Sequence, residues 1–466
     1  MQKQLSKFHY QMYHFHKMEG NYLLQISCDR IQTFKSNIFF QAPQFVPGWK
    51  DAKAKVSKII VEGVGRTKDD IIKKVSQQLY NANSLEEIAV ACRNVKQDFL
   101  RLNLFRDVEI KLDTAKEKNA PKNSYNVIFN VKEKKRFTGG VNAEVGNNET
   151  GIRGKLQLPN TFGRGEVASL DWIYNLVGKD TGGGLRLTKP LGANPDILLT
   201  TGYSQYLANY PWSGFKESSK GFTVDLKFPS VFGDHTVAWE GTWRDLRAAT
   251  RTTSYDVREQ AGHSLKSGVK HTFVRDERDD KILPTTGVFI KTSQEFAGLG
   301  GNVEFFKNEV ELQLNRKLIF DTSIQLSLAG GVMKGLGKEP KILINDKFFL
   351  GGPQTLRGFE TRGVGPSSEG NSLGGTAYWL AGAHLFSPLP FRLGKGGFGE
   401  LFRSHAFVNA GNLGEFHTDK TTKENLQQLS DTFRLAFGLG VVLRLGGIAR
   451  LELNYVFPVR YTKGDK

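Results

Sequence analysis

Few residues in this sequence have the types and spacing for chemistry, and the strongest group is "FFLGGPQTLRGFETRGVGP", Phe348 to Pro366. It sets Arg357, Gly358 and Phe359 among glycines and prolines that suit neither a helix nor an ordinary strand. A guanidinium presents donors in a fixed fork and pairs well with inward-facing carboxylates. A second group, "RDERDDKILPTTG", gathers Asp276, Arg278 and Asp279 ahead of a turn holding Pro284 and Gly287. Its mixed charges suit an ion-pair lattice at a rim, and a solvated hairpin loop accounts for them equally well.

The remaining signals are weaker. His9, His14 and His16 carry metal-binding rings with no Cys or carboxylate beside them. Gly394, Gly396 and Gly399 spell GxGxxG, but "RSHAFVNAG" follows as a strand where a dinucleotide site needs a helix. "GVMKGLGKE" misses the P-loop spacing, and no GxSxG occurs. Cys28 and Cys92 cannot make a disulfide framework. No catalytic residue, metal site or cofactor is therefore assigned, and the chain is not expected to be an enzyme.

A net charge of +17 admits nucleic acid, anionic lipid or an acidic polypeptide as partner, and charge alone does not choose. Lys3, Lys7 and Lys17 interrupt any apolar core of a secretory signal, so residues 1–50 read as a basic, disordered tail. After it, Val56 to Val64 is β-branched. Thr67 with Asp70 forms a candidate capping box for a helix burying Ile72, Val75 and Leu79. Ser84 opens a second helix with Ile88, Cys92, Val95 and Phe99 on one side. "RDVEIKLD" and "SYNVIFNVKEK" alternate as strands. The order β-α-α-β-β over 51–135 makes one small α+β domain.

From Phe137 to the end, 137–466, the helical period gives way to alternation, as in "EVELQLNRKL". About fifteen such runs of roughly ten residues occur, and no segment supplies the about 20 apolar residues of a membrane helix. Each strand then has one apolar and one polar face. A membrane barrel needs that pattern, because lipid meets one face, a wet lumen meets the other, and closure satisfies the backbone. A soluble propeller would also alternate but should repeat at about 40 to 50 residues, and no such period is found. The fold class is therefore mostly β, an antiparallel transmembrane β-barrel behind one small α+β domain. The connection 335–373, which holds Arg357, is far longer than a hairpin and reads as a functional loop turned into the lumen.

Leu350-Gly351-Gly352 with Leu356-Arg357-Gly358-Phe359 resembles the sixth outer loop of the BamA-like outer-membrane insertases, and Asp276-x-Arg278-Asp279 resembles the turn after their eighth strand. The α+β unit resembles their POTRA domain. "GRTKDDII", "SPLPF", "GGFGELFR" and "IARLELNY" are similar to the mitochondrial branch, the barrel subunits of the sorting and assembly machinery (SAM complex).

That resemblance implies insertion of β-barrel precursors, porin and translocase channel among them, into the mitochondrial outer membrane, with POTRA in the intermembrane space. It also implies metaxin-like accessory subunits and MICOS-type inner-membrane contacts as partners, and no nucleic acid. The gate strand would hold Phe137, Gly139, Gly140, Val141 and Val145, its glycines weakening existing pairing or merely relieving crowding. Where bacterial relatives place acids against the loop arginine, this sequence has His384 and Asn409, while Glu452 is a candidate by inward parity. The family barrel has sixteen strands, whereas "RYTKGDK" follows the fifteenth here, so closure would force a parallel pair and a lost strand is expected. A passive or polypeptide-translocating pore of the same architecture is the alternative function.

Overall fold

The computed structural model describes residues 22–28, 53–115, 121, 123–144, 151–175, 179–337, 342–390, 398–417, 420–445 and 449–466. His9, His14, His16 and Val145 lie outside the described residues. Strand β1 is Tyr22–Cys28. The small domain follows as β2 (Lys55–Glu62), α1 (Asp69–Ser76), α2 (Leu85–Arg101), β3 (Phe105–Thr114) and β4 (Ser124–Glu133). Its sheet runs β2-β4-β3, with β2 parallel and β3 antiparallel to β4.

The period of α2 places Ile88, Cys92, Val95 and Phe99 on one buried face. Phe99 meets Phe105 and Phe129 edge-on, with ring centroids 5.3 and 5.8 Å apart, the geometry aromatic quadrupoles favour. Ser84 caps α2 by accepting from the Glu87 amide at 3.2 Å. The cap expected at Thr67 does not form: α1 begins after Lys68, which makes no side-chain cap. The Thr67 hydroxyl instead donates to Glu133 Oε1 at 2.9 Å and accepts from Asn160 Nδ2 at 2.8 Å.

The barrel strands are β5 (Thr138–Glu144), β6 (Gly151–Pro159), β7 (Val167–Asn175), β8 (Thr181–Pro190), β9 (Leu198–Tyr210), β10 (Phe215–Pro229) and β11 (Asp234–Ala248). They continue as β12 (Gly262–Asp276), β13 (Gly287–Gly301), β14 (Phe305–Lys317) and β15 (Ser323–Gly335). After the long loop, with its short pair β16 (Ser367–Ser368) and β17 (Asn371–Ser372), come β18 (Ala377–Pro388), β19 (Phe402–Gly414), β20 (Arg434–Leu445) and β21 (Ala449–Arg460). Neighbours pair antiparallel in sequence order from β5 to β15 and from β18 to β21, with β15 paired to β18 across the long loop and β16–β17 in a sheet of their own. Leu185, Leu328 and Leu439 are more than half exposed on the outer face, as lipid-facing side chains must be.

One expectation about closure is corrected. The place beside β21 is taken by β1, antiparallel, with Tyr22 opposite Tyr455 and Cys28 opposite Ala449, giving a 16-stranded sheet. Part of the stretch read as a disordered tail is therefore a strand. The physical reason is the edge of β21: unpaired N–H and C=O groups in hydrocarbon are costly, and a sixteenth strand covers them without any parallel neighbour. The two ends of the sheet are β1 and β5, and β5 has a hydrogen-bonded ladder only with β6 among the described residues.

Glu133 ends β4 and braces the β2–α1 loop, through which the small domain meets the barrel. Its Oε1 accepts from the amides of Gly65, Arg66 and Thr67 at 3.1, 2.7 and 2.9 Å, and Oε2 pairs with Arg66 Nε at 3.1 Å. The β6–β7 turn completes the joint, with Gly163 O accepting from the Lys68 amide at 2.9 Å. Burial, the largest influence, pushes the Glu133 carboxyl up, but the Thr67, Arg66 and Gly65 donors outweigh it and hold it at about 2. A depressed carboxyl stabilises the fold above its unfolded value and loses that contribution as pH falls. Protection of the Gly65–Thr67 amides is therefore expected to persist above about pH 4.5 and fade toward pH 2, a loss of about 2–3 kcal/mol. Hydrogen exchange corrected for intrinsic rates measures it, and Glu133→Gln should flatten the profile.

Candidate functional site

Arg357 enters the lumen because the loop between β15 and β18 can press directly on the wall. Gly358 has φ +94°, and a Cβ there would come within 3.0 Å of Val456 and 3.2 Å of Ala436, so only glycine fits. Leu356 and Phe359 are buried on either side of that contact. Between them Arg357 Nη2 donates to Glu452 Oε2 at 2.8 Å and Nη1 to His384 Nδ1 at 3.0 Å. Its guanidinium lies 5.0 Å from the Phe407 ring centre, and its carbonyl accepts from Asn409 Nδ2 at 3.2 Å. His384, Asn409 and Glu452 thus all touch Arg357, on β18, β19 and β21.

Glu452 does not face one arginine alone. Arg450 Nε approaches its other oxygen at 2.8 Å, and Asn454 Nδ2 donates to Oε2 at 3.0 Å. His384 and His405 stack in parallel with their rings 5.3 Å apart, and His405 Nδ1 lies 2.8 Å from Asn454 Oδ1. A polar cavity of about 370 Å³ opens beneath this cluster, lined by Gln313, Gln325, Ser327, Thr355 and Arg357. The arrangement has no nucleophile paired to a base; it is built to hold a loop.

The turn "RDERDDKILPTTG" meets the same cluster from the opposite end. Asp276 takes Arg278 in a fork, at 2.8 and 2.9 Å, while Arg278 also donates to Gln313 at 3.2 Å and lies over Phe289. Asp279 accepts from the Thr285 hydroxyl at 2.6 Å and the Thr286 amide at 3.1 Å. Burial raises its carboxyl, and those donors prevail and lower it. Gly287 needs φ +109° because a Cβ would fall 2.3 Å from the Glu277 carbonyl, and Pro284 borders a small lumenal cleft. Asp280 pairs with Arg444, and Arg450 donates to the Ile282 carbonyl at 2.9 Å. Arg450 therefore joins turn to loop, a role sequence reasoning missed although its two-residue spacing from Glu452 put both on one face.

A second anchor was also missed. Arg244 of β11 grips Asp346 of the loop with both nitrogens, at 2.8 and 2.9 Å, and both side chains are buried. Lys307 donates to the Asp346 carbonyl at 3.2 Å, and Asn345 donates to Glu217 at 3.1 Å. The loop is thus tied to β10, β11 and β14 at one point and to β18, β19 and β21 at another. Inward parity marked Arg244, but nothing in the sequence tells which of many loop acids it meets.

The predicted gate strand lies elsewhere. Phe137 is exposed just before β5, and Gly139, Gly140 and Val141 belong to β5 at the end of the sheet. A Cβ on Gly140 would meet nothing within 4 Å, and one on Gly139 only ordinary contacts. Crowding does not require either glycine.

The Omp85 superfamily domain model matches residues 160–466. The chain is 43% identical over 412 residues to the sorting and assembly machinery component 50 homologs of Xenopus tropicalis and Homo sapiens, covering 88% of this chain and 87% of each relative. It is 30% identical to a SAM50-like protein of Drosophila melanogaster, over 89% of this chain and 92% of that protein. Among solved structures, BamA from Haemophilus ducreyi lacking POTRA domains 1–3 superposes with a TM-score of 0.71 at 18% identity, covering 89% of this chain and 82% of that one.

Proposed function

This chain belongs to the Omp85 superfamily and, within it, to the sorting and assembly machinery component 50 family, and on that premise we propose that it inserts and folds β-barrel precursors in the mitochondrial outer membrane. It is an assembly factor and not an enzyme. The observation that carries the mechanism is the open edge of β5, which pairs only with β6 among the described residues. Unpaired N–H and C=O groups template another strand, so a precursor's terminal strand can add there residue by residue. Gly139 and Gly140 weaken the native alternative, since glycine costs strand stability and neither position is sterically obliged to be glycine.

In this reading the small domain faces the intermembrane space, and porin and translocase-channel precursors are the substrates. Metaxin-like subunits and MICOS-type contacts complete the assembly. Arg357 and Glu452 keep the barrel wall rigid while the seam opens. Cys placed at Val141 should form an adduct with a Cys in a precursor's terminal strand, in one register, while Cys at Val237 on the far wall should not. A passive pore of the same fold would give no register-specific adduct at β5, and that result would sink the proposal.

A further inference from the structure

The far wall of the barrel carries a row of polar side chains where lipid should meet only apolar ones. Arg244, Lys266, Glu295 and Lys307 bond to one another's surroundings in the lumen, which fixes the parity of β11 to β14. The alternate positions therefore point outward, among them Val237, Trp239, Phe296, Phe306, Val310 and Leu312, all exposed. In that outward set stand His235, His271, Gln294 and Asn308, one from each of four adjacent strands.

They form a hydrogen-bonded ladder. His235 Nδ1 lies 3.0 Å from His271 Nε2, His271 Nδ1 lies 2.9 Å from Gln294 Oε1, and Gln294 Nε2 donates to Asn308 Oδ1 at 3.4 Å. At the lower end His235 Nε2 reaches Ser230 in the turn on the small-domain side, at 3.0 Å. At the upper end Phe296 and Phe306, directly opposite each other, stand just beyond Gln294 and Asn308. His271 faces Gln294 and Gln294 faces Asn308 in register. Because strands tilt by about 35–45°, such a row climbs the wall as it crosses strands. His235 is near the start of β11, Gln294 is midway along β13, and Asn308 is near the outer end of β14. The polar row thus runs diagonally from one interface toward the other.

Isolated polar groups in hydrocarbon are costly and rarely kept without use. Self-bonding lowers that cost here, yet the donors and acceptors remain on the surface and can be exchanged. A zwitterionic phospholipid headgroup carries phosphate and ester oxygens that accept such bonds, and its obstacle in crossing a bilayer is the absence of polar partners at mid-depth. We propose that this ladder is a track along which phospholipid headgroups cross between leaflets, so that the barrel scrambles lipid independently of precursor insertion.

The test uses the full chain in phosphatidylcholine vesicles with trace fluorescent NBD-phosphatidylcholine and external dithionite. Protein-containing vesicles should lose inner-leaflet fluorescence rapidly, while encapsulated soluble NBD-glucose stays protected, which excludes leakage. His271→Leu with Gln294→Leu should slow the phase at least tenfold, while Thr292→Val on the same face should not. Heat-modifiable migration on gels establishes that each barrel is folded, and Gln294→Leu alone serves if the double variant is not. Equal rates for wild type and folded ladder variants would overturn the proposal, as would no scrambling by wild type. If the ladder instead docks a membrane-embedded protein, the variants would lose that protein and keep their rate, which also overturns it.

Discussion

Replacing Glu452 by Ala is expected to destabilise the barrel by about 4–5 kcal/mol. Glu452 is almost fully buried between Arg357 and Arg450, so its removal leaves two guanidinium groups facing each other without a counter-charge. Arg357→Ala should cost less, about 3 kcal/mol, because Arg450 stays within 2.8 Å of the carboxylate it leaves behind. Arg357→Lys should recover little: an ammonium cannot reach Glu452 and His384 in one plane as the guanidinium does. Replacing both members of the pair by Met should cost less than Glu452→Ala, since the penalty lies mostly in stranding a buried charge. Urea titration of heat-modifiable gel migration gives the cycle. Equal, sub-kilocalorie effects of the two single changes would mean that the loop is held by Leu356 and Phe359 alone.

Much of this site was legible beforehand, and the reason is periodicity. Outward and inward faces alternate strictly, so "EVELQLNRKL" or "IARLELNY" declares which residues share the lumen, Glu452 among them. The glycines around Arg357 declared a loop, because Gly358 allows a wall contact no other residue could make. What parity cannot supply is pairing across the lumen. Arg244 and Asp346 are 102 residues apart, and Asp280 and Arg444 are 164 apart. Their meeting depends on where the loop and the turn come to rest. The Thr67 cap failed for a similar reason: a local rule offered the hydroxyl to α1, and the distant Glu133 made a stronger offer. Strand β1 alternates only briefly, Leu24, Ile26 and Cys28 against Gln25 and Ser27, inside a stretch whose charge and histidines read as a tail; its place is decided by the open edge of β21.

The second anchor leads to a different expected result. Asp346→Ala strands Arg244, whose side chain is buried and held by two bonds to that carboxylate, and should cost about 3–5 kcal/mol locally. The Arg357 end of the loop has its own partners on β18 and β21, so it should stay in place while the segment from Ile342 to Phe349 detaches from β11 and β14. Proteolysis ought then to cut near residue 345 while the chain around Arg357 remains uncut. Arg357→Ala should give the reverse pattern. Because the two anchors share no partner, their urea costs should add to within about 0.5 kcal/mol. Strong non-additivity would mean that the loop moves as one rigid body, and that either anchor alone decides whether the lumen beneath it is closed.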